Sequence, residues 1–573
     1  MSEKLNRYEP WLYAIAILVA VAYRLVNLAS LPLSDSEAAQ ALNAFQLMAG
    51  SHQVNGGQPL YTLITGALFF IFGSSDFLAR ILPALAGSLL VLLPLMMRDE
   101  LGKLPAIILS FGLAIDPALV TLSRQAGSVM PALAFTLAAA CFGWKKHKRL
   151  AAFFGGLALL AGAAFWFGLV GLILAVVLFN ILSLRASRND KRTPDTKIKA
   201  HVPWVVVYLK DTWPILVITV LLGGSFFAIY PSGLSSVATG FLDYLMGWYT
   251  IGAVSIPHIL VALVIYQTIP VFVGLSEGIT GVIQKQPYRK EVFLTFLVLL
   301  TITLLYPGRQ MGDTAWSIVF LWVLSAWLLA RLVDTPRDAV LPMLGHGALV
   351  TTLLIFIILN IVWVLGGFGG LDVTRSLAIL GGVVVMVIVS LLVAYGWGIT
   401  VAVRGALLGL GMVALVIMTS LGVSSGGLNG RSAPDLWRQD ARITGAATLA
   451  NDLNEFSVWG TGVRNSLSVM VVRFDTPSMR WFLRDYQKIV FVDTLAPAAS
   501  PDVVITDFVY RPELSGTYRG ETFAWYTTAD WRTMNTLGIL EWIFHRTAYE
   551  SPTNLIFWVR QDLFVSGGQS LIQ

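Results

Sequence analysis

The chain has 573 residues, of which 56% are hydrophobic and only 13% charged. Soluble domains run near 45–50% apolar and about 25% charged, so this composition excludes an ordinary globular enzyme and points to a polytopic membrane protein. The formal charge of +6 is spread over apolar sequence, where Lys and Arg mark cytoplasmic loops rather than a nucleic-acid partner, and the single cysteine, Cys141, excludes an intramolecular disulfide and a Cys-based zinc cage.

The N-terminal "MSEKLNRYEP" carries charges of both signs, and the apolar run 11–29 is too long for a signal-peptide core and lacks a small-x-small cleavage site, so it reads as a retained first span. A bilayer crossing needs about 20 apolar residues. Further runs at 77–97, 104–123, 127–144, 149–164, 166–184, 213–230, 251–276, 291–306, 314–332, 340–366, 373–395 and 399–423 bring the expectation to about 13 spans. The stretch "PLYTLITGALFFIFG" (59–73) is short for a crossing and reads as a helix lying in the interface. Loop charge agrees with that choice. If 59–73 does not cross, the basic loops 98–103, 145–149, 185–201 and 284–291 all fall on the cytoplasmic side with the N-terminus, which leaves the loop 30–58 and the C-terminus outside.

Composition changes after Val423. The expected organisation is a transmembrane domain over 1–424, a linker over 425–435 and a soluble exterior domain over 436–573. In the last, "ARITGAATLANDLNEF" has helical spacing. The β-branched runs 466–474, 488–494 and 502–507, with a helix over 477–486 between the first two, predict a small α/β fold. Its aromatic segment "GTYRGETFAWYTTADW" suits either stacking on sugar rings or the core of the domain. There is no GxGxxG, Walker sequence or zinc-ligand spacing.

The acids Asp35 and Glu37 follow directly on the first span, and each alone reads as a helix cap. Under the topology above, they share the exterior side with Arg80, Arg124 and Arg309 and with Asp116 and Asp313. Ionisable groups near membrane depth face a polar cavity or a partner. Acids beside arginines suit a base next to a phosphate-bearing ligand, because guanidinium forks onto phosphate oxygens.

The stretches "DSEAAQALNAFQLMAG", "QPLYTLITGALFFIFGSSDFLARILPALAGSLLVLLPLMMRDELGK" and "DPALVTLSRQAGSVMPAL" resemble the GT-C superfamily of polytopic glycosyltransferases that use polyprenyl-phosphate-linked sugars, such as protein O-mannosyltransferases and the aminoarabinose transferases of lipid A. The likeness runs through residues 10–140, loosely over the middle spans and hardly at all beyond. It implies that Asp35 or Glu37 is the base that activates an acceptor, and that Arg80, Arg124 and Arg309 hold the donor phosphate. Asp116, Tyr61 of the P-x-Y helix and Asp313 would lend support. Ser36 separates the two acids, and by the distance to Gly50 it is Glu37 that aligns with the second acid of the family motif, so which carboxylate is the base stays open. Where many relatives carry another acid after the SR-like element, this chain has "RQAGSVM", and Asp116, eight residues before Arg124, is the substitute on offer.

The implied activity is an inverting transfer of sugar from a polyprenyl-phosphate donor to a protein, lipid or glycan acceptor on the exterior face of a bacterial inner membrane. No cofactor is required by the sequence, and a divalent metal stays open. A fold-keeping relative without chemistry and a lipid or sugar transporter are the alternatives. The transporter would call for broken helices at mid-membrane, internal repeats and charges at depth.

Overall fold

The computed structural model describes residues 2–51, 53–189, 204–333, 337–365, 373–438, 440–496, 499–531 and 534–564. Most of the basic loop 185–201, and the end of the C-terminal domain beyond 564, lie outside the described residues.

Four helices frame the first loop: α1 (Ser2–Leu25), α2 (Asp35–Met48), α3 (Pro59–Phe72) and α4 (Asp76–Leu90). A capping box starts α2, with Ser34 and Glu37 satisfying each other's backbone N–H groups. Pro59 opens α3, where its missing N–H costs nothing. Gly73, at φ 83° with open space around it, ends α3 by turning the chain through a conformation that side chains resist. Ser75 then caps α4 by accepting from Leu78 N at 3.3 Å. At 14 residues, α3 is about 21 Å long, short of a hydrocarbon core of roughly 30 Å.

Helices occupy all the predicted spans, but the count is lower when length and composition are required together. Among the described residues seven helices qualify, or nine when two bent pairs are each taken as one span. Helices Val129–Trp144 and Lys148–Leu159 are shorter than a crossing needs. The bent pairs fall on two predicted spans. Lys103–Ile115 meets Pro117–Ser123 at 54°, and Ile256–Tyr266 meets Pro270–Ile283 at 94°.

Proline explains the first bend. Pro117 has no N–H for the Leu113 carbonyl four residues back, and Arg24 takes it instead, Nη2 donating at 3.0 Å while Nη1 donates to the Ala114 carbonyl at 3.0 Å. Arg24 is wholly buried. It fits because Gly87 leaves room: a Cβ there would stand 2.1 Å from Ser123 Oγ, to which Arg24 Nε donates at 3.1 Å. At the second bend the buried Glu277 carboxylate pairs with Arg289 at 2.8 Å and with Arg331.

The C-terminal domain is one mixed sheet of β1 (Arg442–Ile443), β2 (Ser468–Val472), β3 (Lys488–Val492), β4 (Val503–Asp507), β5 (Tyr518–Ala529) and β6 (Glu550–Arg560), in the order β1-β5-β6-β4-β2-β3. β2 runs parallel to β3 and β4, while β6 is antiparallel to β4 and β5. Helices Ala446–Thr461 and Pro477–Phe482 lie close to where the sequence predicts them. The long β5–β6 pair is an addition. The aromatic segment forms β5, and its Trp525 is fully buried in the domain core with Leu453, Val471 and Ile505.

This domain sits on the first loop. Trp481 is 3% exposed, packed edge-on to Phe45 and tilted on Phe69, and its Nε1 donates to Asp76 at 2.8 Å. Arg484 covers its outer face at 4.0 Å. Replacing so buried an indole by alanine removes about 3–5 kcal/mol. Trp481→Ala is therefore expected to lower the thermal transition in detergent and to expose the segment 425–435 to limited proteolysis, read by mass spectrometry of the fragments. An unchanged transition and an intact segment would contradict this docking.

Candidate active site

The two acids lie in the first turn of α2 and face different ways. Glu37 is 4% exposed. Its Oε1 accepts from Arg80 Nε at 2.7 Å and from Ala126 N at 2.8 Å. Its Oε2 accepts from Arg80 Nη2 at 2.8 Å and from Ser34 N at 3.2 Å. A carboxylate offers about four lone-pair positions, and all are taken. Burial pushes this carboxyl up, but the charge and hydrogen bonds of Arg80, with Arg438 and Ala126 N–H, outweigh it and hold Glu37 below the usual range. Asp35 is half-buried and belongs to the domain interface, where Oδ1 accepts from Ser478 N at 3.0 Å and Oδ2 from Tyr526 Oη at 2.5 Å. Burial first, then the Asp35 contact, push the Tyr526 hydroxyl up to about 12, so it remains a donor at neutral pH.

The three expected phosphate ligands are engaged elsewhere to different degrees. Arg80 spends all five N–H groups, on Glu37 and on the carbonyls of Leu28, Leu31 and Pro32, which leaves none for a phosphate. Arg124 closes the open carbonyl end of α1, donating to Tyr23, Arg24, Val26 and Asn27 and, through Nε, to Gly426 at 2.6 Å. Arg309 donates to Val254, Leu304 and Tyr306, and its Nη2 has no partner among the described residues.

The supporting residues are spread out. Asp116 is buried at the first helix bend, accepting from Leu119 N, Gln267 and Trp322, and does not replace a second site acid. Asp313 accepts from Gln310 N at 2.8 Å and fixes the turn after Arg309. Tyr61 donates to the Ala79 carbonyl at 2.7 Å, tying α3 to α4.

Of the expected site residues only Glu37 lines the nearby cavity of about 240 Å³, whose wall also includes Ser36, Gln125, Gln310, Arg438 and Asp440. Neither Arg438 nor Asp440 stood out in the sequence. They belong to the strap that joins the last membrane helix, Ile399–Ser425, to β1. Its fixings are numerous. Trp542 Nε1 donates to Pro434 O at 2.8 Å, His258 meets Leu436 O at 2.7 Å, and Asp435 accepts from Trp437 N at 2.8 Å.

Arg438 Nε donates to Ser425 O at 2.8 Å, and among the described residues its two terminal nitrogens have no partner. Burial pushes this guanidinium down, with Glu37 acting in the opposite sense. Asp440 Oδ2 accepts from Ser36 N at 3.0 Å, and its other oxygen is free of partners among the described residues. The neighbouring Arg442 is committed to Glu550 and the Ser432 carbonyl. Among the described residues no three His, Cys, Asp or Glu converge.

Glu37 should behave as a brace. Leaving Arg80 buried without its partner costs about 3–5 kcal/mol, so Glu37→Gln is expected to lower the thermal transition strongly. Because the folded-state carboxyl is held below its unfolded value of about 4.3, its contribution is complete above that pH and fades as pH falls through the folded value. Thermal transitions from pH 7 to pH 3 should show that acid-side slope in the parent and a smaller one in Glu37→Gln; equal slopes would count against the brace.

Residues 41–229 match the family model of dolichyl-phosphate-mannose-protein mannosyltransferases. Among solved structures, ArnT from Cupriavidus metallidurans bound to undecaprenyl phosphate superposes with a TM-score of 0.50 at 15% identity, covering 87% of this chain and 93% of that one. The oligosaccharyltransferase AglB from Archaeoglobus fulgidus, in complex with an inhibitory peptide and a dolichol-phosphate, gives 0.40 at 12%, over 88% of this chain and 70% of that one. No curated protein sequence matches significantly. Identities this low speak to architecture alone, and the architecture is that of a multi-pass membrane protein with the GT-C fold.

Proposed function

We propose that the chain is a membrane glycosyltransferase that moves a sugar from a polyprenyl-phosphate donor to an acceptor at the cavity under the C-terminal domain. One observation carries the reading: Arg438 presents two unpartnered terminal nitrogens in a cavity walled by the acidic loop. A desolvated guanidinium without a carboxylate partner is a ready ligand for phosphate oxygens. ArnT, which shares the fold, is seen with undecaprenyl phosphate. The cavity is smaller than the roughly 300–1,000 Å³ of a drug-sized pocket, which suits a lipid headgroup with its prenyl chain left in the bilayer.

The chemistry asks for little more than charge. Polyprenyl phosphate is a good leaving group, so cations at its oxygens matter more than a general acid, while the acceptor must lose a proton on the opposite face of the sugar. A single displacement of that kind inverts the anomeric centre. Arg438 is the primary phosphate ligand in this account, and Arg309, whose Nη2 has no partner among the described residues and whose chain neighbours Gln310–Gly312 line the cavity, is secondary. The first-loop base expected from the sequence narrows to Asp35, since Glu37 has no lone pair left. Asp35 accepts one hydrogen bond on each oxygen, from Ser478 and Tyr526 of the C-terminal domain. That engagement of both loop acids favours the second reading, a fold-keeping relative that binds the lipid without transferring sugar.

The proposed orientation puts the cavity and the C-terminal domain outside a bacterial inner membrane. A reporter fused after Arg149 should then be cytoplasmic and one fused after Gln573 exterior; the reverse result would overturn the topology.

Binding tests the headgroup site. Undecaprenyl phosphate titrated into the protein in nanodiscs should bind, and Arg438→Gln should weaken it about tenfold or more, the worth of a charge-assisted hydrogen bond. Arg309→Gln should matter much less. No binding to the parent, or equal binding to Arg438→Gln, would sink the assignment.

A further inference from the structure

We propose that Asp440, on the strap, is the carboxylate that takes the acceptor's proton, which moves the catalytic base out of the acidic loop and into the segment that joins the membrane and C-terminal domains. The inference rests on the transferase reading above and concerns the same cavity.

Four carboxylates stand near this region; Asp435 is buried and is not among the lining residues, and hydrogen bonds and position separate the other three. Glu37 lines the cavity, but Arg80, Ala126 and Ser34 occupy every lone pair. Asp35 is not among the lining residues, and both its oxygens are held by the C-terminal domain. Asp440 lines the cavity with one oxygen fixed and the other free among the described residues. A general base needs that combination, one oxygen anchored so that the other is aimed and open to the reacting proton.

The anchor is informative in itself. Ser36 N, in the first turn of α2, donates to Asp440 Oδ2 at 3.0 Å. The acidic motif thus supplies Asp440 with a backbone donor at a helix N-terminus, a place that favours a carboxylate. Ser36 stands between Asp35 and Glu37 in sequence, so the strap delivers its acid to the very turn where the loop's own two acids are turned away or filled. Arg438 lies two residues before Asp440 on the same strap, and no ion pair forms between them among the described residues. Both ends of a displacement, a cation for the leaving group and an acceptor for the proton, therefore arrive on one short segment.

The step balances simply. The acceptor hydroxyl gives its proton to the free Asp440 oxygen, its oxygen forms a bond to the anomeric carbon, and the bond from that carbon to the phosphate oxygen breaks, with the electron pair leaving on polyprenyl phosphate beside Arg438.

The test works whichever sugar is transferred. In cells lacking the gene, envelope glycans and glycolipids are compared by mass spectrometry after restoring the parent, Asp440→Asn, Asp440→Glu or Asp35→Asn, while undecaprenyl phosphate affinity and the thermal transition are measured on each purified protein. Asp440→Asn is expected to cut the gene-dependent product about 100-fold or more, with lipid affinity and thermal transition close to the parent. Asp440→Glu should regain part of the product, which a role limited to folding would not explain if the asparagine variant is equally stable. Full product from Asp440→Asn, or loss in Asp35→Asn alone, would overturn the inference while leaving the transferase intact. If Asp440→Asn is unstable, product levels from a folded Asp440→Glu decide: none regained overturns the proton-acceptor role. No gene-dependent product and no lipid binding in the parent would instead defeat the transferase reading itself.

Discussion

The Glu37–Arg80 pair is the constraint on which the site depends. Two opposite charges are almost completely removed from water there, at 4% and 2% exposure, and such a pair is stabilising only when its remaining polar positions are satisfied. Here they are. The carboxylate accepts four hydrogen bonds and the guanidinium donates five, and their partners come from the end of the first span, the first turn of α2, α4 and the turn at Ala126. One buried cluster thereby fixes the stretch from Leu28 to Glu37 against α4 and the turn at Ala126. The floor of the cavity is a by-product of that fixation.

On this rigid base the C-terminal domain is held at two places. Trp481 and Arg484 clamp it to α2, α3 and Asp76, while Trp437, Trp542 and Tyr266 form an aromatic cluster on the side of the bent membrane helix. The strap runs from the last membrane helix to β1 and becomes a wall of the cavity because both ends are pinned. The cavity therefore lies at a seam, lined by residues of the membrane part and of the strap that leads to the sheet. The Asp35–Tyr526 contact links the same two bodies, so the docking of the domain and the state of the acidic motif are physically coupled.

The sequence made much of this legible because hydrophobic period and composition are local signals. The helices and the strand–helix–strand start of the C-terminal domain were readable from short windows. Asp35, Glu37 and Arg80 stood out too, because charges are scarce in so apolar a chain. Their roles were not, since a role depends on which carbonyls surround a guanidinium, and only the folded chain sets that. Arg80 and Arg124 look like ligands in sequence, but Arg80 is taken up by Glu37 and three backbone carbonyls and Arg124 is bonded to five backbone carbonyls. The bent pairs hid inside continuous apolar runs, where Pro117 and Pro270 were the available cues. Arg438 and Asp440 were invisible for the opposite reason: they sit in aperiodic sequence at the linker, among many polar residues, and only the folded chain brings them to the cavity wall. β5 escaped because its aromatic residues suit a binding surface as well as a buried strand.

Central to the proposed chemistry is a polyprenyl phosphate headgroup seated in the cavity beneath the strap. The most direct measurement is a cryo-electron microscopy structure of the protein in nanodiscs with undecaprenyl phosphate. It should show phosphate density within hydrogen-bonding distance of the Arg438 guanidinium, with the Glu37–Arg80 pair undisturbed. Density placed away from the strap, or Arg80 drawn off Glu37 to meet the lipid, would contradict it.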